Sequence, residues 1–306
     1  MINPDLAVKI GGLELKNPVL LASGTVGYGY EISNFVDLNK IGGIVTKSIS
    51  LKPRKGNPPG RITETPSGML NAIGLANVGI EEFILEKLPF LAEFNTAVIC
   101  NIAASSIEEY VECVRILQGN DTVKAFEINV SCPNVKEGGL IFGNDLKYVA
   151  EITARVKSVA DKPVIIKLSP NTSNIAEFAQ VARDNGADAV SAINTLVGTA
   201  FDIRTRKPKI HNITGGLSGP AIKPVALAKV LEISRKCDIP VIGVGGISSW
   251  EDVIEFMIAG AIAIQIGTLN FVEPDAAGRI VDELTQFCIE SNIQKISSLT
   301  ASYDLN

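Results

Sequence analysis

Short runs rich in Val, Ile and Ala recur along this chain at residues 18–23, 43–48, 97–103, 125–132, 163–169, 189–194, 240–245 and 261–267. Longer amphipathic stretches carrying most of the charge separate them. The runs are nearly continuously apolar, as parallel strands covered on both faces must be, and helix-like segments such as residues 175–185 and 250–259 lie between them. Eight strand and helix units of this kind predict an α/β fold in which the strands close into a (β/α)8, or TIM, barrel. Such a barrel typically needs about 250 residues and tolerates insertions. The 306 residues are therefore read as one barrel domain spanning 1–306.

Ahead of the first run, residues 6–10 and 13–15 alternate around Gly11-Gly12, the pattern of an N-terminal β-hairpin expected to plug one end of the barrel. Two connections are long, residues 49–80 after the second strand and 196–222 after the sixth. Both follow a strand, so both belong on the C-terminal face, where barrel enzymes place their active sites. Residues 54–68, with several Pro and Gly, read as a lid or rim segment.

Composition narrows the class further. With 46% hydrophobic and 20% charged residues there is ample material for a continuous core. The net charge of -5 is no basis for a nucleic-acid or anionic-membrane partner, which usually demands a basic surplus. The five cysteines, Cys100, Cys113, Cys132, Cys237 and Cys288, are widely spaced and include no Cys-x-x-Cys pair, so neither a disulfide framework nor a zinc or iron-sulfur site is expected on this chain. The N-terminal residues lack a signal-peptide pattern and no stretch stays apolar long enough to span a bilayer, which makes the cytoplasm the expected compartment.

In a barrel the informative positions are polar residues at the C-terminal ends of strands, because strand interiors face packed side chains or covering helices. Here the strand ends supply Ser23, Gly24 and Thr25, then Lys47 and Ser48, Asn101, Asn129 and Cys132, Lys167, and Asn194 with Thr195. A polar cap at any one strand end is as ordinary as a functional residue. Their convergence on one mouth is harder to explain without a ligand, water or mutual bonding to satisfy them. After strands seven and eight, Gly245-Gly246 and Gly267-Thr268 are glycine turns that each precede a helical segment. Turns there commonly bind phosphate, although either alone could simply permit a tight turn. Residues 243–248 lack the third glycine and the acidic residue of a dinucleotide fingerprint, so a mononucleotide or sugar phosphate is expected and no nicotinamide site.

A lone cysteine is more often a small buried hydrophobe than a catalyst. Cys132 differs in position: it stands directly before Pro133 and is flanked by Asn129 and Asn134. A thiol with a reference pKa of about 8.5 can take a proton when its thiolate is supported, and lysine charge across the mouth would help. His211, the sole histidine, lies in a long loop without a visible partner and reads as a surface residue.

The chain resembles the flavin-containing catalytic subunit of class 1B dihydroorotate dehydrogenases. The resemblance runs end to end and rests on Asn17-Pro-Val-Leu-Leu-Ala-Ser-Gly-Thr25, Asn71-Ala-Ile-Gly-Leu-Ala-Asn77, Asn129-Val-Ser-Cys-Pro-Asn-Val-Lys-Glu-Gly-Gly139, Lys167-Leu-Ser-Pro-Asn171, Asn194-Thr-Leu-Val-Gly198 and Thr214-Gly-Gly-Leu-Ser-Gly-Pro-Ala-Ile-Lys-Pro224. It implies that FMN is the phosphorylated ligand, its phosphate held by Gly245, Gly246, Gly267 and Thr268 and its ring approached by Ser23, Lys47, Ser48, Asn101, Asn129, Lys167, Ile193 and Gly219. Dihydroorotate is implied to bind through Lys47, Asn71, Ala72, Ile73, Gly74, Leu75, Asn129, Asn134, Asn194 and Thr195. Cys132 would then be the base for the C5 proton, with Lys167 supporting the negative charge of reduced flavin.

Relatives of class 1B pass electrons to a partner subunit carrying FAD and a [2Fe-2S] cluster, which reduces NAD. The resemblance thus implies a homodimeric core within a heterotetramer. Class 2 enzymes use serine in place of the cysteine and add an N-terminal extension, which is not expected here. Three rival readings stand beside this one: a class 1A-type enzyme using fumarate, a lyase forming a Schiff base on Lys167 or Lys47, and a catalytically silent barrel that binds a flavin or serves as a scaffold.

Overall fold

Strand order in the sheet follows chain order, and the two ends meet. In the computed structural model, which describes residues 3–130 and 145–304, the strands are β1 (Val8–Ile10), β2 (Leu13–Leu15), β3 (Val19–Leu21), β4 (Gly43–Val45), β5 (Ile62–Thr65), β6 (Gly68–Asn71), β7 (Ala97–Ile102), β8 (Val123–Asn129), β9 (Val164–Lys167), β10 (Ala189–Ala192), β11 (Leu196–Thr199), β12 (Thr214–Ser218), β13 (Val241–Val244) and β14 (Ala261–Ile266). Of these, β3, β4, β7, β8, β9, β10, β13 and β14 form a closed parallel barrel in which β14 pairs with β3. All eight apolar runs are barrel strands. All of them end short of the runs read from sequence, because residues that follow them belong to the mouth.

Helices clothe the outside. Short α1 (Ile80–Glu82) and α2 (Leu88–Leu91) flank a π-helical turn at Phe83–Lys87, and the longer helices are α3 (Ile107–Gln118), α4 (Leu146–Lys157), α5 (Ile175–Asp184), α6 (Lys223–Lys236), α7 (Trp250–Ile258) and α8 (Ala276–Glu290). Their starts are set by local chemistry: the side chains of Ser106, Asn174 and Ser249 accept from the backbone N–H groups of Glu109, Glu177 and Asp252, satisfying donors that a helix leaves open at its first turn. Apolar side chains of helix and strand meet in one continuous core, with Phe83, Phe126 and Phe256 among its largest fully buried members. No helix among the described residues is long and apolar enough to cross a membrane.

The hairpin β1–β2 lies at the N-terminal mouth. Side chains built at Gly11 and Gly12 would meet Asp188 and Pro163, which stand just before β10 and β9. At the opposite mouth the two long connections do more than form a rim. Strands β5 and β6 from the first and β11 and β12 from the second build a four-stranded antiparallel sheet in the order β11-β12-β6-β5, with Gly216, Leu217 and Ser218 opposite Asn71, Leu70 and Met69. That sheet joins segments about 145 residues apart and roofs the C-terminal end.

Candidate active site

Side chains alternate across a strand, so the polar residues inside this barrel fall on one face of each strand. Asn101 of β7, Glu127 of β8, Lys167 of β9, Ser191 of β10 and Gln265 of β14 all point inward and meet. Glu127 is the hub and is fully buried. One of its oxygens accepts from Asn101 Nδ2 at 2.6 Å and Lys167 Nζ at 3.2 Å; the other accepts from Ser191 Oγ at 2.8 Å and Gln265 Nε2 at 2.7 Å. Burial alone would push this carboxyl up, but the Lys167 ammonium and the donors of Gln265, Ser191 and Asn101 outweigh it and hold the group below its ordinary value of 4.5.

A depressed carboxyl stabilises the fold above its unfolded pKa, and that contribution is lost as pH falls through the folded value. Acid unfolding followed by circular dichroism should therefore show stability falling below about pH 4.5. The Glu127→Gln variant should fall less steeply over the same range. An equal slope in both proteins would contradict the assignment.

Above this layer a cavity of ≈ 320 Å³ opens between barrel and roof. Its floor includes Lys167, its walls Ser23, Thr25, Ile193, Asn194 and Thr195 from the ends of β3 and β10, and its roof Ile62, Met69, Asn71 and Ile73. The far end is bare backbone: Gly219, Gly245, Gly246 and Gly267, with Ser248 and Thr268 beside them. Gly246 has φ +73°, and a Cβ there would stand 2.8 Å from both Lys223 N and Lys223 Cβ and 2.9 Å from Gly219 O. The loop is braced from behind by Asp252, whose carboxylate accepts from Ser248 N at 2.7 Å, Ser248 Oγ at 2.8 Å and Lys223 Nζ at 2.7 Å. Burial raises this carboxyl, but the Lys223 and Ser248 donors outweigh it and hold it low. On the β14 side Thr268 Oγ1 donates to Ser218 Oγ at 2.8 Å, tying the roof to the glycine end.

Of the residues expected from sequence, Ser23, Asn71, Ile73, Lys167, Ile193, Asn194, Thr195, Gly219, Gly245, Gly246, Gly267 and Thr268 line this one cavity. Others stand behind it. Ser48 donates to Asn101 Oδ1 at 2.6 Å, joining both to the Glu127 network, and Asn129 accepts from Asn194 Nδ2 at 3.4 Å while its carbonyl takes the Tyr110 hydroxyl at 2.9 Å. Lys47, Ala72, Gly74 and Leu75 do not line the cavity. The Lys47 N–H donates to the Gly27 carbonyl at 2.8 Å, and Ala72 packs with Leu70 and Ile210 beneath the roof. Cys132 and Asn134 lie outside the described residues.

Cys100, Cys113, Cys237 and Cys288 are buried, and desolvation pushes every one of these thiols up, as suits packing residues. His211 is exposed, its N–H bonded to the Gly60 carbonyl at 2.9 Å. No cluster of three or more His, Cys, Asp or Glu able to hold a metal occurs among the described residues. What sequence reasoning passed over is Glu127 and Gln265. Both sit inside apolar strands, where a charged or amide side chain is itself a signal.

The arrangement suits a phosphorylated ligand with a flat ring. Bare glycine backbone leaves room for a phosphate, Ile62, Met69, Ile193 and Phe271 provide apolar walls, and Lys167 stands at the floor.

Comparison with known proteins agrees in family and fold. The family model described as "Dihydroorotate dehydrogenase" matches residues 5–288. The chain is 51% identical over 303 residues, 99% of its length, to the whole of a Pelobacter propionicus protein named dihydroorotate dehydrogenase B (NAD(+)), catalytic subunit. A protein of the same name from Trichlorobacter lovleyi is 52% identical over 303 residues, 99% of this chain and 100% of that one. Among solved structures, the dihydroorotate dehydrogenase of Eimeria tenella in complex with ferulenol superposes with a TM-score of 0.81 at 22% identity, covering 98% of this chain and 88% of that one, which speaks for the fold. The chain belongs to the dihydroorotate dehydrogenase family.

Proposed function

We propose that this chain is the FMN-bearing catalytic subunit of an NAD-linked dihydroorotate dehydrogenase, oxidising dihydroorotate to orotate in pyrimidine biosynthesis. The observation that carries it is the glycine end of the cavity, where Gly219, Gly245, Gly246 and Gly267 leave space for a phosphate at one end and Lys167 stands at the floor. Full-length identity near 50% to proteins named as the catalytic subunit of dihydroorotate dehydrogenase B supports it.

FMN, when bound, supplies the acceptor for the hydride that leaves C6 of the substrate. The chain's own residues do the rest. Cys132 takes the C5 proton, so that the C5–C6 single bond becomes the double bond of orotate. Asn71, Asn194 and Thr195, which line the cavity, offer amide and hydroxyl groups to a pyrimidine edge of alternating C=O and N–H. Asn129, held through Asn194, and Asn134 extend that set. Lys47, which does not line the cavity, is the family resemblance's candidate for the substrate carboxylate. Lys167 places positive charge where the ring becomes negative on reduction. A Schiff-base lyase would need a free amine, whereas Lys167 Nζ is committed to the Glu127 carboxylate.

Electrons then leave through a partner subunit carrying FAD and a [2Fe-2S] cluster, in a cytoplasmic heterotetramer built on a homodimer of this chain. The chain purified alone should release FMN on denaturation and reduce NAD with dihydroorotate only slowly until the partner is added. NAD reduction at full rate by the isolated chain would overturn the partner assignment, and rapid turnover with fumarate would favour the class 1A reading.

A further inference from the structure

Glu127 takes no part in the chemistry above, yet it is the most heavily bonded side chain inside the barrel. Barrel interiors are ordinarily filled by layers of branched apolar residues. A buried carboxylate in that place is costly unless it is paired and its oxygens are satisfied. Here both conditions hold: donors from β7, β9, β10 and β14 reach its two oxygens, and the ammonium of Lys167 is among them. Lys167 is itself nearly buried and faces the cavity, so its position is set from below by Glu127. Two opposite charges this close in a low-dielectric interior cancel much of each other's field at a third point.

We propose that Glu127 is a positioning residue that fixes the Lys167 ammonium at the cavity floor and offsets its charge, thereby setting the reduction potential of the flavin bound above it. The inference rests on the FMN reading. Removing the carboxylate's charge leaves the lysine's field uncompensated and favours the negatively charged reduced ring. Removing the lysine does the reverse.

The test is the two-electron midpoint potential of FMN bound to wild type, Glu127→Gln, Lys167→Met and the double variant. Glutamine keeps the shape of the site, and Gln265 can turn its amide to receive the new N–H group, since its own Oε1 has no partner. Glu127→Gln should shift the reduction equilibrium about tenfold toward the reduced form, roughly 30 mV upward, and Lys167→Met should shift it downward. The double variant should return toward wild type. A Glu127→Gln protein that keeps FMN with an unchanged or lowered potential would overturn the proposal while leaving the FMN reading intact. Wild-type protein unable to bind added FMN would instead defeat that reading, and this inference with it. If Glu127→Gln does not yield folded protein, the double variant decides: the proposal expects it to fold and hold FMN, because no buried charge is left alone. Failure of the double variant as well would show that Glu127 serves the barrel and not Lys167.

Discussion

Replacing Cys132 by Ala should slow the reduction of bound flavin by dihydroorotate by roughly 10² to 10⁴, the usual contribution of a general base, while leaving FMN in place. The resemblance to dihydroorotate dehydrogenases makes Cys132 the proposed base, and the other candidates fit that role poorly. Proton removal from C5 needs a group that is basic near neutral pH and reaches the mouth of the barrel. Cys100, Cys113, Cys237 and Cys288 are buried with thiols pushed up by desolvation, and His211 sits on the surface of a loop. Lys167 is held by Glu127. In sequence, Cys132 follows by three positions Asn129, the last residue of β8. Anaerobic stopped-flow absorbance of the flavin band measures the effect directly. An unchanged rate would remove Cys132 from the chemistry, and loss of FMN with the thiol would give it a structural role.

Gly246→Ala should weaken FMN binding by roughly 10- to 100-fold without unfolding the barrel. The residue stands at φ +73°, which costs a side-chain-bearing residue about 1–3 kcal/mol, and the new methyl would press on the backbone of Lys223 and Gly219. Backbone atoms cannot swing aside as a side-chain tip can. The loop would have to shift, taking with it the Ser248 contacts that Asp252 holds in place. Each tenfold loss of affinity corresponds to about 1.4 kcal/mol, so strain of this size spans the expected range. Fluorescence titration of FMN into apoprotein gives the affinity, and circular dichroism of the same samples checks the fold. Wild-type affinity in the variant would mean that the phosphate is held elsewhere.

The barrel strands were legible because a parallel sheet covered on both faces demands apolar residues at every position, and such runs stand out without any long-range information. Where a polar residue interrupts that demand the boundary moves: β8 begins at Val123, ahead of the expected 125, because exposed Lys124 breaks the apolar run. The roof was legible only as two long insertions. Its strands include exposed or half-exposed residues such as Thr63-Glu64 and Thr214-Gly215-Gly216, and the pairing that makes one sheet of them, Gly216–Ser218 against Met69–Asn71, joins two different connections and so leaves little trace in local pattern. The glycine turns after β13 and β14 could be read because phosphate sites recur there. The Glu127 layer was passed over for a physical reason too. Barrel interiors are ordinarily apolar, so strand ends draw the eye, whereas Ser191 and Gln265 lie within strands and donate to Glu127 across the barrel. Asn101, read as a ligand-facing residue, stands in that inner network behind the cavity, whereas Lys167 belongs to both.

Whether this cavity oxidises dihydroorotate on a bound flavin is tested most directly by anaerobic titration of the purified, FMN-loaded chain with dihydroorotate. The yellow absorbance should bleach stoichiometrically with appearance of one orotate per flavin, with no partner subunit and no NAD present. Fully loaded protein whose flavin keeps its colour in excess dihydroorotate would contradict it.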